Sequence, residues 1–402
     1  MGTCHLSWVL ITALVASGAA WAADEGGTAL GCPEFERIAI GELDNAPEMN
    51  TLLNVADINQ DGRTDVLVSG RNGLMGWFEN RGDGQPWVRH IIDEVTNQEC
   101  GGLAVDITGD GLPDVINGGD YRSDELSWWE NPGAAESKWT RRVIARTGQP
   151  QFHDEAVGDV TGDGVRSLVF WNQGGATLYR VPIPGDPRVS SWPGVEAIAA
   201  DVRESQQPEE GLAIADIDLD GANEIVAGTH WYKWTDGRWE QHRVVSGYIT
   251  TVVAVGDLDG DGRPQIVLSE GDPCIYGKPE GGKLAWFRAG DDIRAPWEEH
   301  VLAEGLLDAH SLQLGDLCGH GRLDILVGEI GLSSLPADRP PRLMVYENDG
   351  RGGFVRHVID EGTGTHHARL AGFFGRGVLD IVSRPLHGPE KGTVFVWRNG
   401  GV

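Results

Sequence analysis

Short apolar segments alternate with acidic, glycine-rich loops along almost the whole chain, and one order of segments keeps returning. In the first copy, Thr51 to Ala56 reads as a strand and an acidic loop follows. Then come Asp65-Val66-Leu67-Val68, Leu74 to Asn80 and Trp87 to Ile92. Each segment is rich in β-branched and aromatic residues and bounded by Gly, Asn or Asp, which predicts four strands joined by tight turns. The third segment returns as Trp128-Trp129-Glu130-Asn131, Tyr179-Arg180, Trp231-Tyr232, Trp286-Phe287, Tyr346-Glu347-Asn348 and Trp397-Arg398-Asn399. The fourth returns as Trp139 to Ile144, Trp239 to Val244, Trp297 to Leu302 and Phe354 to Ile359. Helical periodicity is absent.

The acidic loops open at Asp57, Asp106, Asp159, Asp216, Asp257 and Asp316, 41 to 59 residues apart. That spacing suits a repeated four-stranded unit of roughly 40–50 residues plus insertions. A seventh copy is eroded: Arg369-Leu370-Ala371-Gly372-Phe373 leads to Leu379-Asp380-Ile381-Val382. An isolated four-stranded sheet exposes two faces, and radial stacking covers both. The expected fold is therefore all-β, a seven-bladed β-propeller of four-stranded antiparallel blades over residues 23–402. Phe35 to Ile40 matches the fourth segment, while the chain ends on a third segment at Trp397. The amino-terminal strand near residues 35–40 should thus complete the last blade and remove its exposed edge. The recurring Trp and Tyr read as core between blades. His90, His242, His300 and His357 share a repeat position filled elsewhere by Arg142 and Ile38, and read as structural.

The first loop, Asp57-Ile58-Asn59-Gln60-Asp61-Gly62-Arg63-Thr64-Asp65, sets oxygen side chains at positions 1, 3, 5 and 9 with glycine at 6. A hard cation with six or more oxygen ligands is served by such a loop. An EF-hand would require Glu at position 12, where Val68 stands inside a strand. These residues resemble the FG-GAP/VCBS repeats of integrin α-subunit heads and of many bacterial exported proteins. The resemblance implies several structural Ca2+ ions on the lower face, in the turn after each innermost strand. Carried over by position, the ligand sets are Asp57, Asn59, Asp61 and Asp65; Asp106, Thr108, Asp110 and Asp114; and Asp216, Asp218, Asp220 and Glu224. Weaker sets are Asp159, Thr161 and Asp163, ending in Ser167, and Asp257, Asp259 and Asp261, ending in Gln265. Cys318 and His320 in the sixth loop, and Gly372 and Phe374 in the seventh, stand where oxygens belong.

Composition narrows the partners. The 61 acidic residues against 32 basic ones give a net charge of −29, which excludes a nucleic-acid backbone as ligand. Trp8 to Ala20 is apolar and ends at Ala20-Trp21-Ala22, a small-residue cleavage site. Residues 1–22 therefore read as a signal peptide, and the chain as secreted or periplasmic. The run is too short for a membrane span, and no later segment is long and apolar enough. Outside the signal, Cys32, Cys100, Cys274 and Cys318 remain. Four thiols in an oxidising compartment allow three pairings, and Cys100 with Cys274, both on the upper face, is the one expected first.

An activity should sit opposite the acidic loops, around the mouth of the central channel. Six residues before each loop start stand Thr51, Cys100, His153, Glu210, Thr251, His310 and His366. Glu99, Asp154, Glu209 and His367 flank them, and long loops bring Glu270, Asp272, Glu329, Arg384, His387 and Lys391, with His230 from blade four. His153, His310 and His366, with Glu329 and Arg384, are the candidate catalytic residues. Histidines and carboxylates converging there can ligate a further divalent metal or act as acid and base on a sugar. Two readings follow. One is a binding module for carbohydrate or an extracellular protein. The other is a carbohydrate lyase or dehydratase, because His153-Asp154 and Trp129-Glu130-Asn131-Pro132 are similar to the propeller of fungal aldos-2-ulose dehydratases, and some polysaccharide lyases also use calcium-bearing propellers.

Overall fold

The computed structural model describes residues 31–43, 50–134, 138–204, 207–331 and 339–401; the expected signal peptide and Cys4 lie outside them. Every regular element among these residues is a strand. Seven four-stranded antiparallel sheets make the blades of a propeller. The inner strands are Asn50–Ala56, Leu103–Val105, Phe152–Gly158, Leu212–Ala215, Thr251–Gly256, Ser311–Gly315 and His367–Ala371. The last of them lies beside the first, which closes the ring. In the seventh blade the outer strand is Phe35–Glu42, paired antiparallel with Thr393–Asn399 so that Ile38 faces Val396.

Strand alternation explains why the blades need one another. The second strand of blade one, Asp65–Gly70, is buried at all six positions. Val66 packs toward blade seven with Val382 and Val396. Its neighbour Leu67 packs toward blade two with Val115 and Trp129. Trp77 and Phe78 divide in the same way between the two sides. Seven such apolar layers, one for each pair of adjacent blades, form the core. The repeat-position histidines close these layers from outside. His90 stacks on Trp77 at 4.4 Å, His242 on Trp231 at 4.3 Å and His300 on Trp286 at 4.0 Å between ring centres. His357 instead bonds Glu347, Nε2 to Oε2 at 2.7 Å.

A polar clamp recurs at the lower face. Asp65 accepts the Ile58 N–H at 3.0 Å and the Asn80 N–H at 2.8 Å, which fixes the acidic loop to the end of the third strand. The Asn80 amide then donates to Phe373 O of blade seven at 2.8 Å. Asp114 with Asn131, Asp324 with Asn348 and Asp380 with Asn399 repeat the device, the amides reaching Ile58, Leu258 and Leu317 of the preceding blade. Burial pushes the Asp65 carboxyl up to about 7 and the Asp114 carboxyl to about 6, against the N–H groups that favour its anion.

The pairing of Cys100 with Cys274 does not occur. Both thiols are free and buried, and Cys32 is joined to Cys318 with Cα atoms 4.5 Å apart. Cys32 stands just before the strand that completes blade seven, and Cys318 lies in the acidic loop of blade six. Circular closure therefore brings together residues 286 apart in sequence. Cys100 and Cys274 belong to blades two and five, which do not adjoin. Peptide mapping should recover the Cys32–Cys318 pair with two free thiols, and Cys32→Ser should cost about 2–5 kcal/mol of stability. Asn348→Ala leaves the Leu258 and Leu323 carbonyls without their donor and should cost about 1–3 kcal/mol in a denaturant titration.

Candidate functional site

At the lower face the acidic loops turn alike. Asp57 accepts the Asp61 and Gly62 N–H groups at 3.0 and 2.8 Å, and Gly62 takes a φ of 84°, a conformation open to glycine. Fit to the calcium implied by the resemblance differs among blades. Blade two fits: Asp106, Asp110 and Asp114 share the loop with Thr108, whose buried Oγ1 has no hydrogen-bond partner and would be free to coordinate a cation. Blade one holds the same oxygen pattern, with the Arg63 guanidinium on Asp61 alone. In blade four Asp216, Asp218 and Glu224 bring ligand atoms within 4.8 Å of one another, and the Lys233 ammonium stands among them, 2.6 Å from Asp218, 2.6 Å from Asp220 and 3.0 Å from Glu224. Burial disfavours its charge, but the three carboxylates outweigh burial and raise its pKa above the usual lysine value. In blade five Arg288 does the same, 3.0 Å from Asp259 and 2.6 Å from Asp261. In blade three Arg180 bonds Thr161 and Ser167. In blade six His320 Nε2 is 3.1 Å from Asp324.

At the upper face the inner strands deliver their first side chains to the channel. Thr51 and Thr251 tie neighbouring rims, donating to Gln98 O at 3.2 Å and Glu210 O at 2.8 Å. The three candidate histidines converge. The ring centres of His310 and His366 are 4.6 Å apart and those of His153 and His310 are 5.7 Å apart. His367 joins them, 4.4 Å from His366, and Cys100 Sγ lies 3.5 Å from His366 Nε2. Glu210 Oε2 lies 3.8 Å from His153 Nε2 and 3.7 Å from His310 Nε2, and Asp272 Oδ2 lies 3.7 Å from His310 Nε2. All these imidazoles and Glu210 are buried.

Local backbone aims the central pair. The register of the third blade slips between His153 and Glu155, a β-bulge, and Asp154 within it has a φ of 44°. The bulge lets Asp154 turn back on His153, Oδ2 to Nδ1 at 2.7 Å, while the same oxygen accepts the Gly211 N–H at 2.8 Å. Burial opposes charge on His153, yet Glu210 and Asp154 outweigh it and hold the imidazole well above its ordinary pKa. Burial pushes Glu210 up to about 8 and Glu155 to about 8. His367 is held neutral, first by burial and then by His366 and His310.

His153 and His310 line two cavities. The outer, of about 220 Å³, is the mouth, bordered also by Arg71, Gln151, Gln173, Tyr276, His366 and His387. The inner, of about 100 Å³, runs into the channel past Glu155, His367 and Arg369. Glu329 and Arg384, expected to act beside the histidines, line neither cavity. Glu329 braces a loop, accepting the Leu307 and Arg342 N–H groups and the Arg339 guanidinium. Arg384 donates to Leu43 O and Ser69 O, between blades seven and one. Glu270 and Glu209 are loop braces too, with His230 3.5 Å from Glu209. Arg71, Gln173 and Tyr276 stood outside the sequence reading because no repeat position marks them.

The sequence profile of the FG-GAP-like repeat matches residues 57–116. Among solved structures, the rhamnogalacturonan lyase YesW is 13% identical with a TM-score of 0.50, and 92% of this chain aligns with 76% of that one. The BBS1N chain crystallised with ARL6DN is 11% identical with a TM-score of 0.55, over 91% of this chain and 96% of that one. The biofilm matrix protein Bap1 of V. cholerae is 11% identical with a TM-score of 0.50, over 92% and 91%. No curated protein sequence matches. At such identities the likeness is one of fold, and with the repeat match it places this chain as a seven-bladed β-propeller that carries an FG-GAP-like repeat.

Proposed function

We propose that this chain is an exported carbohydrate-acting propeller, a lyase or dehydratase that eliminates across a carbon–oxygen bond of an acidic or keto sugar held in the axial mouth. The observation that carries the reading is the burial of His153, His310, His366 and Glu210 against one another beneath an opening sized for a small ligand. A flat binding surface has no use for such a floor, since each buried polar group costs stability unless it is matched. In elimination, a base removes the proton from the carbon next to the carbonyl or carboxylate. A double bond forms as the β-carbon–oxygen bond breaks, and the departing oxygen takes up a proton. His366, on the mouth side, accepts the proton. The positively charged floor at His153 faces the charge that grows on the enolate oxygen. Arg71, itself ion-paired with Glu99 at 2.6 Å, and Tyr276 at the rim offer a guanidinium edge and a ring face to the sugar. The fold is shared with a rhamnogalacturonan lyase, and the Cys32–Cys318 disulfide suits an oxidising compartment.

Incubation with uronate-containing oligosaccharides and keto sugars should generate an unsaturated product, followed by its ultraviolet absorbance. His366→Ala should lower kcat/KM by about 10²–10⁴ with the melting temperature nearly unchanged. Saturable sugar binding with no product would make the mouth a recognition site, and a histidine-independent melt and turnover would remove it from function altogether.

Calcium belongs to the proposal at blades one and two. Excess chelator should lower the melting temperature and added calcium restore it, by the mass action that favours the folded state. Asp110→Ala should remove one ion from a calcium titration. Lys233→Met should add one, because it vacates the pocket between Asp218, Asp220 and Glu224. An unaltered stoichiometry in the Lys233 variant would show that the ammonium is not what keeps calcium out.

A further inference from the structure

The floor of the mouth has the composition and spacing of a metal cage. His153 Nε2, His310 Nε2 and Glu210 Oε2 lie within 4.8 Å of one another, with the carboxylate oxygen 3.7–3.8 Å from each imidazole. A tetrahedral ion with ligands at about 2.05 Å sets its ligand atoms about 3.4 Å apart. Bringing the carboxylate oxygen to that spacing from each imidazole needs movements of a few tenths of an ångström. Glu210 Oε2 is buried without a hydrogen-bond partner, although its sister oxygen accepts the Gln173 amide. His310 Nδ1 is also buried and unpartnered. Glu210 is 4% exposed and His310 3% exposed, and both border the mouth.

A second feature is independent of this cluster of ligand atoms. Asp154 holds His153 Nδ1 at 2.7 Å, which orients the ring with Nε2 toward Glu210. A carboxylate behind an imidazole is how proteins orient metal-ligating histidines. Here it is built by a bulge with a left-handed aspartate, a conformation that costs about 1–3 kcal/mol and that glycine, Gly101 and Gly211, takes at the same position in blades two and four. Asp272 Oδ2, 3.7 Å from His310 Nε2, stands at a fourth corner. It lies on a long loop at the mouth, where substrate can displace it.

We infer that His153, His310 and Glu210 bind one divalent transition-metal ion of the zinc type at the floor of the mouth, with Asp272 or a sugar oxygen completing its coordination. Two imidazoles and one carboxylate suit zinc or cobalt. Calcium, which takes six to eight oxygens, is poorly served. The adjacent group of Cys100, His366 and His367 is a weaker cage. Its thiol is buried and pushed up to about 12. The ion would occupy the position that a proton on His153 holds in its absence and would supply the floor's positive charge. The inference deepens the elimination reading of the same mouth, but metal binding can be read without turnover.

The full mature chain, stripped by chelator and then saturated with calcium to fill the lower loops, should bind one Co2+ per chain with the visible bands of a tetrahedral or five-coordinate ion, displaceable by Zn2+. Glu210→Gln and His310→Ala should each weaken Co2+ binding at least 10-fold, and Asp154→Asn should weaken it by 10-fold or more through the orientation of His153. His366→Ala should retain the cobalt spectrum. Folding of each variant is checked by its calcium-bound melt. The absence of a cobalt spectrum in the parent, or wild-type affinity in Glu210→Gln and His310→Ala together, overturns the site. Loss of binding in Cys100→Ser with retention in Glu210→Gln overturns it in favour of the neighbouring cage. A chain that binds cobalt but forms no unsaturated product keeps the metal and loses the elimination reading, and turnover without bound metal does the reverse.

Discussion

A sheet with two apolar faces cannot exist alone in water. The second strand of blade one is buried throughout, its alternate side chains turned to different neighbours, and this condition repeats around the ring. Every blade therefore needs a partner on each side, and only circular closure satisfies all seven. Closure in turn fixes which strands complete the last blade. The strand Phe35–Glu42 has to travel to the last blade, because Thr393–Asn399 would otherwise present an open edge. The disulfide between Cys32 and Cys318, the amides of Asn80 and Asn399 and the seven apolar layers all act on that same requirement.

Closure also creates the site. Seven inner strands packed around one axis bring their first residues into a space too narrow for bulk water. Whatever polar groups stand there meet each other. His153, His310, His366 and His367 come from three blades, yet their rings lie 4.4 to 5.7 Å from a neighbour. Glu210 from a fourth blade has little solvent to stabilise its anion, and burial raises its pKa while His153 opposes that rise. A proton shared between them, or a cation between them, balances the same charge. This physical equivalence is why a floor built for positive charge can serve either an imidazolium or a metal ion.

Much of this was legible in the sequence because repetition turns a local pattern into a global constraint. Acidic loops at regular spacing gave the blades, and a count of six residues back from each loop gave the convergent histidines. What escaped was everything that joins one copy to another by a single event. Cys318 was readable as a defect in an acidic loop, but its partner depended on how the ring closes. Glu329 and Arg384 looked like site residues because they occupy loops of the correct face. Inside a repeat protein, however, a buried carboxylate on a long loop serves as readily to gather N–H groups, as Glu329 does with Leu307 and Arg342. Lys233 and Arg288 were hidden for a different reason. They stand on the third strand, far in sequence from the loop oxygens they neutralise, and only strand pairing of Glu224 and Gln265 with their neighbours brings them near.

The two faces handle charge in opposite ways, and the contrast separates scaffold from function. At the lower face the loop carboxylates of blades four, five and six meet a basic side chain of their own blade, Lys233, Arg288 or His320, and those of blades one and two meet backbone N–H groups and the proposed calcium. A defect in one blade is corrected in that blade, which is what a structural role requires. At the upper face the equivalent slot has a structural solution as well: Thr51 and Thr251 use it to tie one rim to the next. His310 does not take that solution. Its Nδ1 and the Glu210 Oε2 beside it stay buried without partners, although either could have been replaced by a threonine that satisfies its neighbour. With His153 of blade three these two groups border the mouth, where the proposed ion or a substrate supplies their partner.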